Sequence, residues 1–511
     1  MSTSTSTKAL IRFAWIGQLV LSTLSGLLIA LCLPPWNFTW LIWIAFVPIL
    51  VSLLVIPGGP GLVILQGAFL AAADGLMSFH WLWKEHRYDE FGTILGFLAL
   101  QTVIWSWFLW RFCRPPALPK PPENKRKKGP EPIFVGAPGN AEAWRISTSH
   151  LRLATLIAGA WTFLEWGRGT ILPAWNPAGL PVAASLPLLQ LAKATGPAGL
   201  SFIAVFANAI LFLAARRFVL RPGRISWAAR FDVICTLAIL FVISAAGFRL
   251  GQRAPQPLLL RVCLTASPDE SVEGLSSVLP GAAALRTDLL VWRRINLASN
   301  QFSRLRREEV APNVGVVVGQ AVRPDAPISG CAVFLPTEIR SFFSPRQNQP
   351  VFQAFSNQQP GSVRNFMLKD VGFVPFLNHE AMSFAALKSA ARAPGQAFIV
   401  LMDIPKGTAI EENQFWQNVR CWAVSLGRPI IFESRRAGAF LATGNGRILT
   451  EMAPQTKMLS APTVDFPLAN DLTPYASFGD WLPILTGALC LFFGIRERLS
   501  SFYASPRRFR T

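Results

Sequence analysis

The stretch FDVICTLAILFVISAAGFRLGQRAPQPLLLRVCLT (residues 231–265) changes character halfway along. Residues 231–248 form an apolar run of spanning length, since a helix rising about 1.5 Å per residue needs roughly 20 residues to cross a bilayer core. Arg249, Arg253, Pro255 and Pro257 end that run, and LLLRVCLT (258–265) then reads as a short buried strand. A membrane part therefore gives way to an α/β part near residue 249. Working outward, further apolar runs lie near 11–31, 39–56, 61–83, 93–113, 151–172 and 195–215, and one more near 480–495. LPPWN (33–37) and PGGPG (57–61) punctuate them. The expectation is an α-helical membrane bundle of about eight spans, residues 1–248 with a last span and tail at 480–511, and a separate α/β domain over 249–479.

Composition agrees. Of 511 residues, 51% are hydrophobic and only 15% charged, and the mean hydropathy is +0.37. That excludes a disordered chain and an ordinary soluble enzyme. The seven cysteines stand singly, without a C-x-x-C, beside four histidines, so neither a metal site, a disulfide framework nor any other cofactor is expected. MSTSTSTKALIR (1–12) leads into an apolar stretch without a clean small-residue cleavage site and is read as part of a retained first helix.

The net charge of +20 is mostly topological. With the N-terminus in the cytoplasm, the cytoplasmic pieces 1–12, 57–60, 111–152, 216–230 and 496–511 hold 21 Lys and Arg, against 3 in the short loops 32–38, 84–92 and 173–194. The positive-inside rule selects this orientation, placing both termini inside and 249–479 outside. The basic run KPPENKRKKGPEP (120–132) falls within a Pro-rich cytoplasmic loop, 114–150, and calls for no nucleic-acid partner.

In the outer interval, strands are expected at 258–265, 288–292, 314–322, 331–335, 371–377, 397–402, 429–434 and 439–444. Helices are expected near 298–310, 379–393 and 411–426.

Specific residues then carry a resemblance. LPPWNFTWLIWIAFVPIL (33–50), Glu165, Trp166, Arg168, Gly169, Trp175, Asn176 and GPAGLSFIAVFANAIL (196–211) are similar to the apolipoprotein N-acyltransferases. So are LLVW (289–292), VGVVVG (314–319), GRPIIFES (427–434) and LTPYASFGDW (472–481). The resemblance implies a nitrilase-like (CN-hydrolase) α-β-β-α sandwich carried on a membrane bundle in a bacterial inner membrane, the sandwich being periplasmic. It also implies the family reaction, acyl transfer from a phospholipid to the N-terminal amine of a diacylglyceryl-cysteine lipoprotein.

Such a transfer needs a nucleophile, a base and an oxyanion stabiliser. The family supplies Cys, Glu and Lys. The matching positions here are Arg294 for the base, Arg346 (or Pro345, one residue earlier) for the Lys and Asn378 for the nucleophile. Guanidinium has no lone pair to accept a proton, and an amide nitrogen does not attack an ester. Cys331 and Cys421 are expected to be small buried hydrophobes in a strand and a helix, and His379–Glu380 a local pair. MDIPKG (402–407), containing Asp403, stands where the family has N-D-A-W-F-G, and WAVS (422–425) where it has R-A-x-E.

The leading expectation is thus a noncatalytic member with no intact catalytic residue. It would keep a groove for lipid or lipoprotein at Trp36, Glu165, Arg168, Trp175, Asn176 and Tyr475, and would bind phospholipid or a lipoprotein N-terminus, in complex with an active relative. Two alternatives stay open: a working N-acyltransferase with another nucleophile, and a membrane scaffold or transporter. The transporter reading draws on Asp74, Glu165, Arg168 and Asp232, for which local roles are expected: Glu165 pairing with Arg168, and Asp232 starting a helix.

Overall fold

Apolar runs without internal breakers become helices in the first half of the chain. The computed structural model describes residues 3–113, 140–172, 175–220, 230–252, 259–265, 270–296, 314–321, 328, 330–335, 339–343, 365–369, 371–382, 387, 396–404, 407–454, 463–467 and 472–504. The helices of the first half are α1 (Thr3–Leu31), α2 (Val47–Leu54), α3 (Pro60–Ser78), α4 (His80–Lys84), α5 (Tyr88–Phe112) and α6 (Asn140–Ile171). Short helices α7 (Leu186–Leu189) and α8 (Ala192–Thr195) precede α9 (Pro197–Leu220) and α10 (Phe231–Gln252).

Among the described residues four helices are long and apolar enough to cross a membrane: Pro60–Ser78, Tyr88–Phe112, Pro197–Arg217 and Phe231–Leu250. Trp15–Leu31 and Trp481–Arg496 are shorter apolar helices. α6 has 32 residues, but His150, Arg152, Glu165 and Arg168 interrupt its apolar character. Of the eight expected spans, four are therefore helices long and apolar enough to cross a membrane among the described residues.

The run 39–56 is not one helix. A 3₁₀ turn, Thr39–Trp43, stops before α2 begins at Val47. A break in an apolar setting leaves backbone groups that need partners. The buried side chain of Asn208, on α9, supplies them: Phe46 N–H donates to its Oδ1 at 3.0 Å, and its Nδ2 donates to Ile42 O at 2.7 Å and Ala204 O at 2.8 Å. Around it Phe46, Trp105 and Trp161 meet edge to face, with centroids 4.8–6.1 Å apart. Glycines let neighbouring helices close up, since a Cβ on Gly67 would lie 2.7 Å from the Val103 backbone.

The second half builds two six-stranded sheets. Its strands are β1 (Leu259–Leu264), β2 (Leu289–Asn296), β3 (Gly315–Ala321), β4 (Gly330–Phe334), β5 (Ile339–Phe343), β6 (Phe366–Leu368), β7 (Val371–Leu377), β8 (Gln396–Met402), β9 (Ile430–Ser434), β10 (Ala439–Ala442), β11 (Ile448–Met452) and β12 (Thr463–Pro467). One sheet runs β12-β1-β2-β3-β4-β5 and the other β11-β10-β9-β8-β7-β6. In each, three central strands are parallel (β1-β2-β3 and β7-β8-β9) and the outer pairings antiparallel. Parallel strands buried on both faces read as continuous apolar runs, which is why β3, β7 and β9 were legible.

A core of Val262, Leu264, Val291, Val317, Phe373, Ile399, Ile431 and others fills the space between the sheets. α11 (Val272–Ala284) covers the outer face of the first sheet through Leu275 and Leu279. α12 (Ala409–Leu426) covers the second through Phe415, Trp416 and Val419. The layers are therefore α-β-β-α, as expected. α12 has a side-chain N-cap, Thr408 Oγ1 accepting from Glu411 N at 3.1 Å, and closes at Gly427, whose φ of 69° suits glycine. The same apolar cluster continues from α12 into Phe79, Trp81, Phe91, Leu98 and Trp175, so α12 lies between the sandwich and the helical half. α13 (Pro474–Phe478) and α14 (Trp481–Ala504) complete the chain.

The expected helix at 298–310 lies outside the described residues from 297 to 310. At 379–393 a 3₁₀ turn, Asn378–Met382, replaces the expected helix start, and residues 388–393 lie outside the described residues. α11, β5, β6, β11 and β12 were not anticipated.

Candidate functional site

Parallel strands in an α/β fold present their carboxyl ends to a common crevice. Here those ends carry Arg293 and Arg294 (β2), Asn378 (after β7), Asp403 (after β8) and Arg435 (after β9). The register of β2 against β3 shifts between Trp292 and Ile295, so the two arginines occupy an irregularity that re-aims their side chains. Gly319 on β3 makes room for it: a Cβ there would collide with the Arg293 carbonyl.

Arg294 is buried and its Nη1 lies 3.3 Å from Asp403 Oδ2. Arg293 Nε lies 3.5 Å from the same oxygen, and Arg435 Nη1 lies 3.7 Å from Asp403 Oδ1. Glu270 closes the cluster at 3.5 Å from both Arg293 and Arg294. Asn378, at φ 49° in the left-handed region that Asn tolerates, ties the crevice together. Its Nδ2 donates to Ile328 O at 2.8 Å and its Oδ1 accepts from Asp403 N at 3.0 Å. The structure thus brings two of the three matched positions, Arg294 and Asn378, onto one residue, Asp403. Arg346 lies outside the described residues, as does the side chain of His379. Glu380 accepts from Leu377 N at 3.0 Å, a local bond of the kind expected.

The alternative thiols are elsewhere. Cys331 sits fully buried in the inter-sheet core. Cys421 is buried on the face of α12 that meets the helical half, and burial pushes its thiol up to about 12, with Arg420 opposing. A thiol held there stays protonated and unreactive at neutral pH.

Behind Arg435, burial pushes the Glu412 carboxyl on α12 up to about 7, against the opposing pull of the Arg436 and Ala437 N–H groups and the Arg436 guanidinium. The folded state therefore holds a proton that the unfolded state releases near 4.5. The associated stability is full below about pH 4.5 and is lost as pH rises to about 7. Glu412→Gln should remove this component, so the apparent Tm difference between variant and parent, followed by intrinsic fluorescence, is expected to widen across that window in the variant's favour. A difference flat in pH would contradict this.

A second group of residues lies at the seam. Arg87 Nη1 donates to Glu411 Oε1 and Oε2 at 3.0 and 3.1 Å. Gln414 Nε2 reaches Pro34 O at 3.2 Å and Ser78 O at 3.0 Å. The Trp175 ring stands between Trp81 (6.0 Å) and Phe415 (6.3 Å). Arg168 donates to Trp175 O at 3.3 and 3.4 Å, and Asn176 Oδ1 accepts from Asn418 at 3.5 Å. Glu165 does not pair with Arg168 as expected; it accepts from Trp161 Nε1 at 3.0 Å, Ala178 N at 2.8 Å and the Ser201 hydroxyl. Trp161 lies one turn back on α6, while Ala178 and Ser201 reach the carboxylate from outside the helix. Tyr475 is buried beside Trp422 and donates to Asp480 Oδ1 at 2.5 Å. Trp36 is half-buried, 6.0 Å from the His80 ring. Asp232 does start a helix, and also holds His150 Nδ1 at 2.6 Å, a partner sequence reasoning missed.

Comparison with known proteins follows this geometry. Residues 25–210 match the apolipoprotein N-acyltransferase N-terminal domain. An apolipoprotein N-acyltransferase of Geobacter metallireducens is 35% identical over 91 residues, a match spanning 17% of this chain and 17% of that relative. Among solved structures, an amidase of the nitrilase superfamily from Nesterenkonia AN1 aligns with 45% of this chain and 95% of its own, at 12% identity and a TM-score of 0.30. A glutamine-dependent NAD+ synthetase of Acinetobacter baumannii aligns with 39% and 44%, at 12% and 0.30. Fold and site define a membrane-helix protein bearing a two-sheet α/β sandwich. Through residues 25–210 of its helical half the chain is similar to the apolipoprotein N-acyltransferases, and it spans only 17% of the curated relative it matches.

Proposed function

We propose that this chain is a noncatalytic apolipoprotein N-acyltransferase homologue that binds phospholipid or a diacylated lipoprotein N-terminus and modulates an active relative. In this reading it lies in a bacterial inner membrane with both termini cytoplasmic, residues 249–479 form a periplasmic domain, and the ligand lies along Trp36, Glu165, Arg168, Trp175, Asn176 and Tyr475. The observation that carries it is the Arg294–Asp403 ion pair at the base position, beside an Asn378 amide bonded at both ends. A guanidinium engaged by a buried carboxylate takes up no proton from a nucleophile, and Asn378 offers none to activate. Losing a nucleophile and base that act as a unit costs on the order of a millionfold in turnover.

Cells depleted of their own N-acyltransferase provide the test. Expressing this chain in them is expected to leave lipoproteins diacylated and growth unrestored; growth with triacylated lipoprotein would refute the proposal.

A further inference from the structure

In the crevice described above, Arg293, Arg294 and Arg435 converge on Asp403, and Glu270 faces Arg293 and Arg294. Every one of those contacts is 3.3–3.7 Å long. Charge-assisted N–H···O bonds close to about 2.7–2.9 Å when an oxyanion satisfies a guanidinium fully. Arg293 Nε, though buried, donates no hydrogen bond among the described residues. Arg435 makes one long ion pair among the described residues, and its side chain is 41% exposed. Two forks therefore converge on the crevice with donors that its carboxylates do not saturate.

We infer that this crevice is a phosphate-binding site, taking the phosphate oxyanion of a lipid headgroup or of a free phosphate. Arginine forks match phosphate oxygens in geometry, and a phosphate offers enough oxygens to engage Arg293 and Arg435 together. The carboxylates set the affinity from the other side: Glu270 competes with the incoming anion for Arg293. The inference goes beyond the binding role proposed above, since it places an anion in the crevice at the strand ends as well as a ligand along the seam, and it stands on a different measurement from acyl transfer.

The test is calorimetric titration of the full chain in nonionic detergent at low ionic strength, with inorganic phosphate and separately with dihexanoyl phosphatidylglycerol. Arg435→Gln is expected to weaken binding roughly tenfold, the usual effect of losing one charge-assisted bond. Glu270→Gln is expected to tighten it, an effect that damage to the fold would not produce. Binding of inorganic phosphate alone would assign a soluble oxyanion, and binding of the lipid a headgroup; either bears out the site. Absence of binding for both ligands, or affinities indifferent to both substitutions, would overturn it. Triacylation of lipoproteins by this chain would refute the noncatalytic reading and leave the phosphate result to be judged on its own titrations.

Discussion

Asp403→Ala is expected to lower the stability of the folded chain by about 3–5 kcal/mol, the usual cost of removing one partner from a buried ion pair. The Asp403 side chain is fully buried and faces Arg293, Arg294 and Arg435. Removing it leaves Glu270, itself partly exposed, as the carboxylate paired with the two buried arginines. The guanidiniums at the end of β2 would then repel one another in a setting of poor screening. Arg435→Gln is the control. Its half-exposed 3.7 Å pair should contribute under about 1 kcal/mol. Apparent Tm in detergent reads both, and a large fall for Asp403→Ala beside a small one for Arg435→Gln is the expected pattern. Equal effects would mean that the cluster does not hold the crevice together.

Asn208→Ala should be nearly as costly, on the order of 2–5 kcal/mol, although it lies in the helical half. The substitution removes the acceptor of Phe46 N–H and the donor to Ile42 O at a fully buried break. Thr155→Ala is the matched control, because that hydroxyl only returns to Leu151 O one turn back. A drop in apparent Tm confined to Asn208→Ala would support the role of this amide in holding the broken segment, and comparable drops in both would count against it.

The four strands that sequence reasoning missed, β5, β6, β11 and β12, are all sheet edges. Edge strands pair on one side only, so they need no unbroken apolar run; TVDFP and ILTEM show mixed character. The central strands bury both faces and announce themselves. In the helical half, counting apolar residues found the run 39–56 but not its break, because the group that satisfies the break is 162 residues away. The site divides in the same manner. Arg294 and Asn378 were found by resemblance, one position at a time. Their meeting at Asp403, 109 and 25 residues distant, was not legible, nor were the counter-charges that make the arginines tolerable there. Glu165 and Arg168 looked like a local helix pair, but partners beyond the helix took each: Ala178 N–H donates to Glu165, and Arg168 donates to Trp175 O.

The central proposal is that the described residues of the crevice include no groups to form an acyl-enzyme, and intact-mass spectrometry addresses it most directly. Full-length chain incubated with phospholipid and then stripped of lipid is expected to keep its unmodified mass. An added acyl mass that neutral hydroxylamine releases, mapped to Cys331, Cys421 or any other thiol, would contradict the account.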